Sequence, residues 1–508
     1  MPVTHPGRGR LRRAAASVRS HVRQSRHVDE DHLPLADLLP PDRVRQAIAT
    51  HGPRVRSCGW SPLVTLYAFL GQVLDADPSC RQARARRLAL QVARGGDGGA
   101  GGGDASVDTG AYCKARCRLG ERLPAALARD VGHDLHARHG RGGTPGLLRG
   151  RPIKVVDGTT CSMPDTPANQ AAYPQAKTQK AGLGFPVLRL VAVLCLACGA
   201  ALDAAIGPYA GKATGETALL RGLVDGGTFA AGDVVLGDRY FCSYWQLAQL
   251  RARGADALFR LHQPRRADFL AGRRLGPDDH VVTWQRPQRP DWMDAAAYAA
   301  VPATMEVREM RHRAAIKGFR VTEVVLATTP LDAALYPAAE LAAAYRARWH
   351  AELDLRSIKV ALGMDVLRCK TPAVVRAEVW MHLLAYNLVR TAMAEAATGA
   401  APAGVAAAKS PPPVVPPARA ISFTAGLQLV RAFAPLAAVA STPDAAGRMR
   451  AALLAALAGE VVGDRPDRVE PRAVKRRPKP TRLLTEPRDA ARERLLKTGG
   501  SAAKAERC

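Results

Sequence analysis

Apolar and polar positions change their period three times along this chain. Over residues 1–148 apolar residues recur at helical spacing in short segments, with start signals at Ser61-Pro62 and Pro78-Ser79. Ser79-Cys80-Arg81-Gln82 has the spacing of a capping box. A glycine tract from Gly95 to Gly103 predicts a flexible connection within this region. After it, Asp108 offers a helix cap and Pro124 marks the start of a second helix. From residue 151 the pattern is that of strands: IKVVD, ending at Asp157, and DVVLGD, ending at Asp238. Between them FPVLRLVAVLCLA and AALDAAI predict a buried hairpin turning at Cys198-Gly199. ALFRLH, HVVTW, ATMEVREMRHR and FRVTEVVLATT then predict a β-rich insertion over about residues 256–328. Helical period returns from about Pro337 to Val360 and from Pro372 to Glu395. The expected organisation is therefore α/β: a helical, basic amino-terminal domain (1–148), a mixed catalytic domain (149–395), a Pro/Ala linker (396–420), and carboxy-terminal helices with a basic tail (421–508).

Charge narrows the class of partner. Lys plus Arg total 73 against 45 Asp plus Glu in 508 residues, a formal net charge of +28, which favours a polyanion such as nucleic acid over a membrane surface. Abundant Arg, Ala, Gly and Pro inflate that total, so clusters carry more weight. Arg472, Lys475, Arg476, Arg477 and Lys479, interleaved with prolines, form one such cluster and suit a phosphate-tracking tail. The apolar stretch from Leu190 to Leu202 is shorter than the roughly 20 residues a spanning helix needs. The amino terminus has charge but no apolar segment of a secretory signal, so a cytoplasmic, nucleoid-associated protein with no membrane partner is expected. Of the ten cysteines, only Cys113/Cys117 and Cys195/Cys198 are closely spaced. Neither pair has a second pair or a histidine at zinc-ligand spacing, and reduced thiols are expected.

Candidate chemistry comes from three acidic residues. In YRARWHAELDLRSIK, Tyr345, Arg348, Glu352 and Lys359 fall on one side of a helix at about 100° per residue. On residue types alone this also describes a solvated face of mixed charge. Asp157 and Asp238, each at the end of an apolar strand, change that balance, because side chains there emerge at a sheet rim and converge on a ligand. Two strand-end aspartates with a helical glutamate are hard oxygen ligands of the kind Mg²⁺ takes, and paired ions so held support in-line displacement at phosphorus. Asp165, Asp203 and Asp354 read as structural, the last lying about 200° from Glu352 on the helix. Lys177 and Lys180 suit a solvated turn.

The segments VVDGTTCSMPDTPANQAAYP and VLGDRYFCSYWQL, followed by Y-x2-R-x3-E-x6-K, resemble the three blocks of bacterial insertion-sequence transposases of the DDE type, most of all the insertion-sequence-four family. The resemblance runs in order through residues 55–395, with weaker echoes in SPLVTLYAFLGQVLDADPSCR, TGAYCKARCRL and PRAVKRRPKP. It implies a ribonuclease-H-like mixed-sheet core with the β-rich insertion between the second aspartate and the glutamate. It also implies catalytic metal-ligand roles for Asp157, Asp238 and Glu352, served by two Mg²⁺ ions for which Mn²⁺ can substitute. Tyr345, Arg348 and Lys359 take phosphate contacts by the same likeness, and Trp349 stacks a flipped base. The implied reaction is DNA strand cleavage and strand transfer at the inverted-repeat ends of an insertion sequence. Double-stranded DNA, both transposon ends and target, is the partner, and a homodimer holds it. One departure is Tyr240, where many relatives have glycine. The competing readings are a non-catalytic DNA-binding regulator derived from a transposase and a structure-selective nuclease on the same core.

Overall fold

Hydroxyl side chains cap many of the helices, as the sequence pattern requires. Ser61 Oγ accepts from Val64 N at 3.2 Å and Ser79 Oγ from Gln82 N at 3.1 Å, each satisfying a backbone donor that the helix itself leaves unpaired. The computed structural model describes residue 33 and residues 35–53, 60–93, 108–139, 147–313, 323–398, 418–440, 442–463 and 483–497. The glycine tract, most of the Pro/Ala linker and the basic run Arg472 to Lys479 lie outside the described residues.

Five helices come first: α1 (Pro41–His51), α2 (Pro62–Leu74), α3 (Cys80–Ala93), α4 (Gly110–Leu119) and α5 (Arg122–His139). The strands and their connecting helices follow as β1 (Leu147–Leu148), β2 (Arg151–Ser162), α6 (Pro167–Ala172), β3 (Val187–Cys195), β4 (Ala201–Pro208), α7 (Glu216–Asp225), β5 (Val234–Gly237), α8 (Tyr244–Ala252) and β6 (Asp256–Arg260). Then come β7 (Arg273–Gly276), β8 (Asp279–Gln285), α9 (Ala295–Ala300), β9 (Thr304–Arg313) and β10 (Glu323–Thr328). Among the described residues these make one ten-stranded sheet, ordered β4-β3-β2-β5-β6-β10-β9-β8-β7, with β1 attached to β2. β2, β5 and β6 run parallel; the other pairs are antiparallel.

Two expectations change here. The β-rich stretch begins with a strand of the parallel part, β6, and the rest extends the same sheet, because β10 pairs with the free edge of β6 (Leu326↔Arg260). Asp157 lies within β2 rather than at its end. β2 stays paired with β3 as far as Ser162↔Val187, whereas its pairing with β5 stops at Val155↔Leu236. Asp157 is thus at the rim on the β5 side only.

The carboxy-terminal elements are α10 (Ala338–Ala347), α11 (Trp349–Arg356), a π turn (Ser357–Ala361), α12 (Pro372–Ala397), a 3₁₀ turn (Ala418–Ala420), α13 (Phe423–Ala438), α14 (Pro443–Gly459) and α15 (Arg488–Lys497). Residues on every side of α12 are buried, the mark of a helix enclosed by others. It packs against α2, α5, α13 and α14. Asn387, with no exposed surface, fixes its position: its Nδ2 donates to Ala128 O and Ala201 O and its Oδ1 accepts from Ala201 N, each at 2.8 Å. At Gly132 of α5 any Cβ would run into Ala201 O, so glycine permits α5 to lie directly on β4.

Candidate active site

Strand alternation sends neighbouring β2 residues to opposite faces. Val155 joins the core beneath α10–α12 and Val156 the core beneath α7 and α8. Asp157 therefore faces the side that carries Glu352. The parallel register adds the second aspartate: Ile153↔Val234 and Val155↔Leu236 share an offset of 81, and 157 + 81 = 238. Asp238, two residues past Leu236, follows the same line off the end of β5, one strand spacing away, roughly 4.8 Å between backbones.

Local hydrogen bonds hold both aspartates. Asp157 Oδ1 accepts from Gly158 N at 2.9 Å, and Asp238 Oδ1 accepts from Tyr240 N at 2.8 Å in a tight turn. Arg348 links the strands to the helix: its Nη2 donates to Glu352 Oε1 at 2.8 Å and its Nη1 stands 3.8 Å from Asp157 Oδ2. Burial pushes the Asp157 carboxyl up from 3.8 to about 6; Arg348 and the Gly158 N–H oppose the shift, while the charges of Asp238 and Glu352 add to it. Burial also pushes the Tyr345 phenol up to about 12, with Arg348 and Arg260 opposing and Asp238 adding. These mutual effects place Asp157, Asp238, Glu352, Tyr345 and Arg348 in one electrostatic neighbourhood.

Lys359 lies in the π turn. The helical period from Pro337 to Val360 is not one regular helix: it tightens at Arg348, where Arg348 N bonds Tyr345 O and Ala351 N bonds Arg348 O, and it widens in the π turn. There Lys359 acts on Cys161, four residues past Asp157 on the same face of β2, whose thiol it pulls down against burial. Trp349 is 46% exposed and Tyr240 is 59% exposed, so neither is a core aromatic. Asp165 bonds Gln170, Asp203 pairs with Arg129, and Asp354 is buried between Arg390 and Arg419. Lys177 and Lys180 are exposed in a turn.

Two neighbours escaped the sequence reading. Arg260, at the end of β6, acts on Tyr345, and Glu216, at the start of α7, lies over Gly158 on the opposite face of β2 and senses Asp238. The usable signal for Glu216 was the glycine directly after Asp157; for Arg260 there was none.

Residues 148–388 match the family model of the transposase DDE domain. Over 366 residues, 71% of this chain and 76% of the relative, the chain is 26% identical to transposase InsG for insertion sequence element IS4 of Escherichia coli (strain K12). Residues 148–388 are thus a transposase DDE domain, and the chain is similar to the transposases of the insertion-sequence-four type. A cryo-electron-microscopy structure of the piggyBac transposase synaptic complex with hairpin DNA aligns with 83% of this transposase, and over 82% of that chain, at a TM-score of 0.39 and 11% identity.

DDE transposases depend on divalent metal ions. The donor chemistry of this transposase fits such an ion: three carboxylates are hard oxygen ligands, and the repulsion that helps lift Asp157 is the field a cation relieves. Among the described residues no three His, Cys, Asp or Glu side chains lie close enough together to hold one ion. Arg348 supplies the positive charge between Asp157 and Glu352. Among the described residues no helix is long and apolar enough to cross a membrane.

Proposed function

We propose that this transposase cuts and rejoins DNA at the inverted-repeat ends of an insertion sequence, with Asp157, Asp238 and Glu352 as its catalytic carboxylates and metal ligands. The observation that carries the reading is the meeting of the three on one half-buried rim: Asp157 and Asp238 lie on one register line of β2 and β5, and Arg348 bonds Glu352 at 2.8 Å while standing 3.8 Å from Asp157. The order of the first five strands, three antiparallel followed by two parallel, is the arrangement a ribonuclease-H-like core requires, and supports that assignment. The amino-terminal segment 1–148 is proposed to bind DNA ends, and a homodimer to hold two of them.

Asp157, Asp238 and Glu352 would hold two Mg²⁺ ions, or Mn²⁺ in their place, which would supply positive charge to a displacement at phosphorus. The remaining work belongs to the chain. Asp157 and Asp238, fixed by backbone N–H groups, keep their free oxygens on the rim. Arg348 holds a DNA phosphate through charge-assisted bonds, and its place between two carboxylates delivers that phosphate beside them. The Tyr345 hydroxyl, kept protonated by burial, donates to a phosphate oxygen; Lys359 steadies the backbone further along. Exposed Trp349 offers a face on which an unstacked base rests.

The test uses the purified protein, Mg²⁺ or Mn²⁺, and duplexes carrying the inverted repeats that flank its gene. Cleavage is expected at those ends. Asp157→Ala, Asp238→Ala and Glu352→Ala are each expected to keep DNA binding and to lose cutting by roughly 10²–10³-fold or more, the scale of removing one preorganised charge. Full cleavage by any of the three overturns the assignment. Equal cutting of branched DNA lacking the repeats instead makes the protein a structure-selective nuclease.

A further inference from the structure

The close spacings in the sequence pair Cys113 with Cys117 and Cys195 with Cys198, and the fold adds a further pair. Cys80 opens α3 and Cys113 lies in the second turn of α4, and their sulfurs stand 3.7 Å apart. Both are partly exposed, within reach of a small oxidant. Cys195 and Cys198 are fully buried and lack that access.

The surroundings are unusual for thiols. Arg116, itself buried, donates to Cys80 Sγ at 3.1 Å and to Cys113 Sγ at 3.8 Å, while its other terminal nitrogen reaches Cys369 Sγ at 3.6 Å and Gln72 Oε1 at 3.3 Å. Its Nε has no hydrogen-bond partner. Stacking on Phe69 and Tyr112, with each ring centre 5.0 Å away, keeps the guanidinium in place. Burial raises the Cys80 thiol and Arg116 pulls it back. The net effect leaves the Cys80 thiol raised, and Arg116, held against both sulfurs, limits the rise and is the counter-ion for the thiolate that must form before either can react.

We propose that Cys80 and Cys113 are a modification site, a dithiol that closes reversibly to a disulfide joining α3 to α4. The sulfurs need to approach from 3.7 Å to a bond of about 2.05 Å. The oxidant is a low-molecular-weight disulfide. One cysteine loses its proton and attacks a sulfur of that disulfide, forming a mixed disulfide and expelling one thiolate. The other cysteine loses its proton and attacks the protein-side sulfur, expelling the second thiolate. The two released protons end on the two small thiolates, so the protein gives up two electrons and two hydrogens and the oxidant becomes two thiols. In a reducing compartment the bond is transient and reports a shift toward oxidising conditions.

The test uses the full chain, reduced and then equilibrated with glutathione disulfide and glutathione at several ratios. Free thiols are then alkylated and the digest is read by mass spectrometry. The expected product is a Cys80–Cys113 linked peptide pair, about 2 Da lighter than the two reduced peptides together, lost again on adding dithiothreitol. The oxidised protein should melt at a higher temperature than the reduced one, and Cys80→Ser should abolish that difference while leaving the reduced melting temperature unchanged. Cys113 linked to Cys117 or Cys369, or both sulfurs carrying only glutathione or the alkyl label, overturns the proposal. The wild-type digest decides this without relying on the variant.

Discussion

At the scale of single residues, position in the sheet decides what a carboxylate does. Burial and two negative neighbours raise Asp157 to about 6, so the native state holds its proton more tightly than the unfolded chain does. The stability tied to this group is complete below pH 3.8, its ordinary value, and is lost as pH rises through about 6. Asp157→Asn removes the titration. Without divalent metal it should therefore be more stable than wild type at pH 7, by up to ~3 kcal/mol, and equal to it near pH 3; urea unfolding in a chelator across that range checks this. No difference at pH 7 refutes the burial argument. Gly158 is constrained from the other face, where a Cβ would run into the Glu216 carboxyl group. Gly158→Ala should cost about 1–3 kcal/mol by overpacking, and Glu216→Ala should restore part of that loss in the double mutant. Additive losses in the thermodynamic cycle would show that the two side chains do not compete for space.

Among elements, α11 carries Glu352, the proposed third carboxylate, and a buried ionic clamp ties it down. Asp354, with no exposed surface, accepts from Arg390 Nη2 at 2.5 Å and from Arg419 Nη1 and Nη2 at 3.1 Å. Arg390 belongs to α12, and Arg419, in the 3₁₀ turn after the linker, also donates to Cys195 O and Leu196 O at the end of the β3–β4 hairpin. Asp354→Ala leaves two guanidinium groups buried without their carboxylate and should cost about 3–5 kcal/mol, measured by chemical denaturation. A loss below about 1 kcal/mol, as for an exposed pair, would mean that water already screens the clamp. The sequence reading of Asp354 as structural rested on its angle from Glu352, and the burial of its carboxylate agrees with it.

Over the whole molecule the long helix α12 joins segments that are far apart in the chain. One apolar cluster runs from Leu33 through the sheet and α12 to Leu457. A fragment of residues 149–395 alone should therefore expose the α12 faces that α2, α5, α13 and α14 cover. It is expected to bind a hydrophobic dye and to unfold without cooperativity; a sharp transition matching that of the full chain would contradict this. Strand and helix periods, the caps at Ser61 and Ser79 and the β3–β4 hairpin were all legible in the sequence, because each depends on residue type at short spacing. The equal offset that brings Asp157 and Asp238 to one rim was not, since register is set by pairing between strands about 80 residues apart. Nor were the guanidinium of Arg348 between two carboxylates, the joining of β10 to β6, or the meeting of Cys80 with Cys113. Local chemistry alone determined which elements form and which residues can react. Only the tertiary structure decided which of those residues face one another, because side chains distant in sequence meet through packing, and packing is a property of the folded chain.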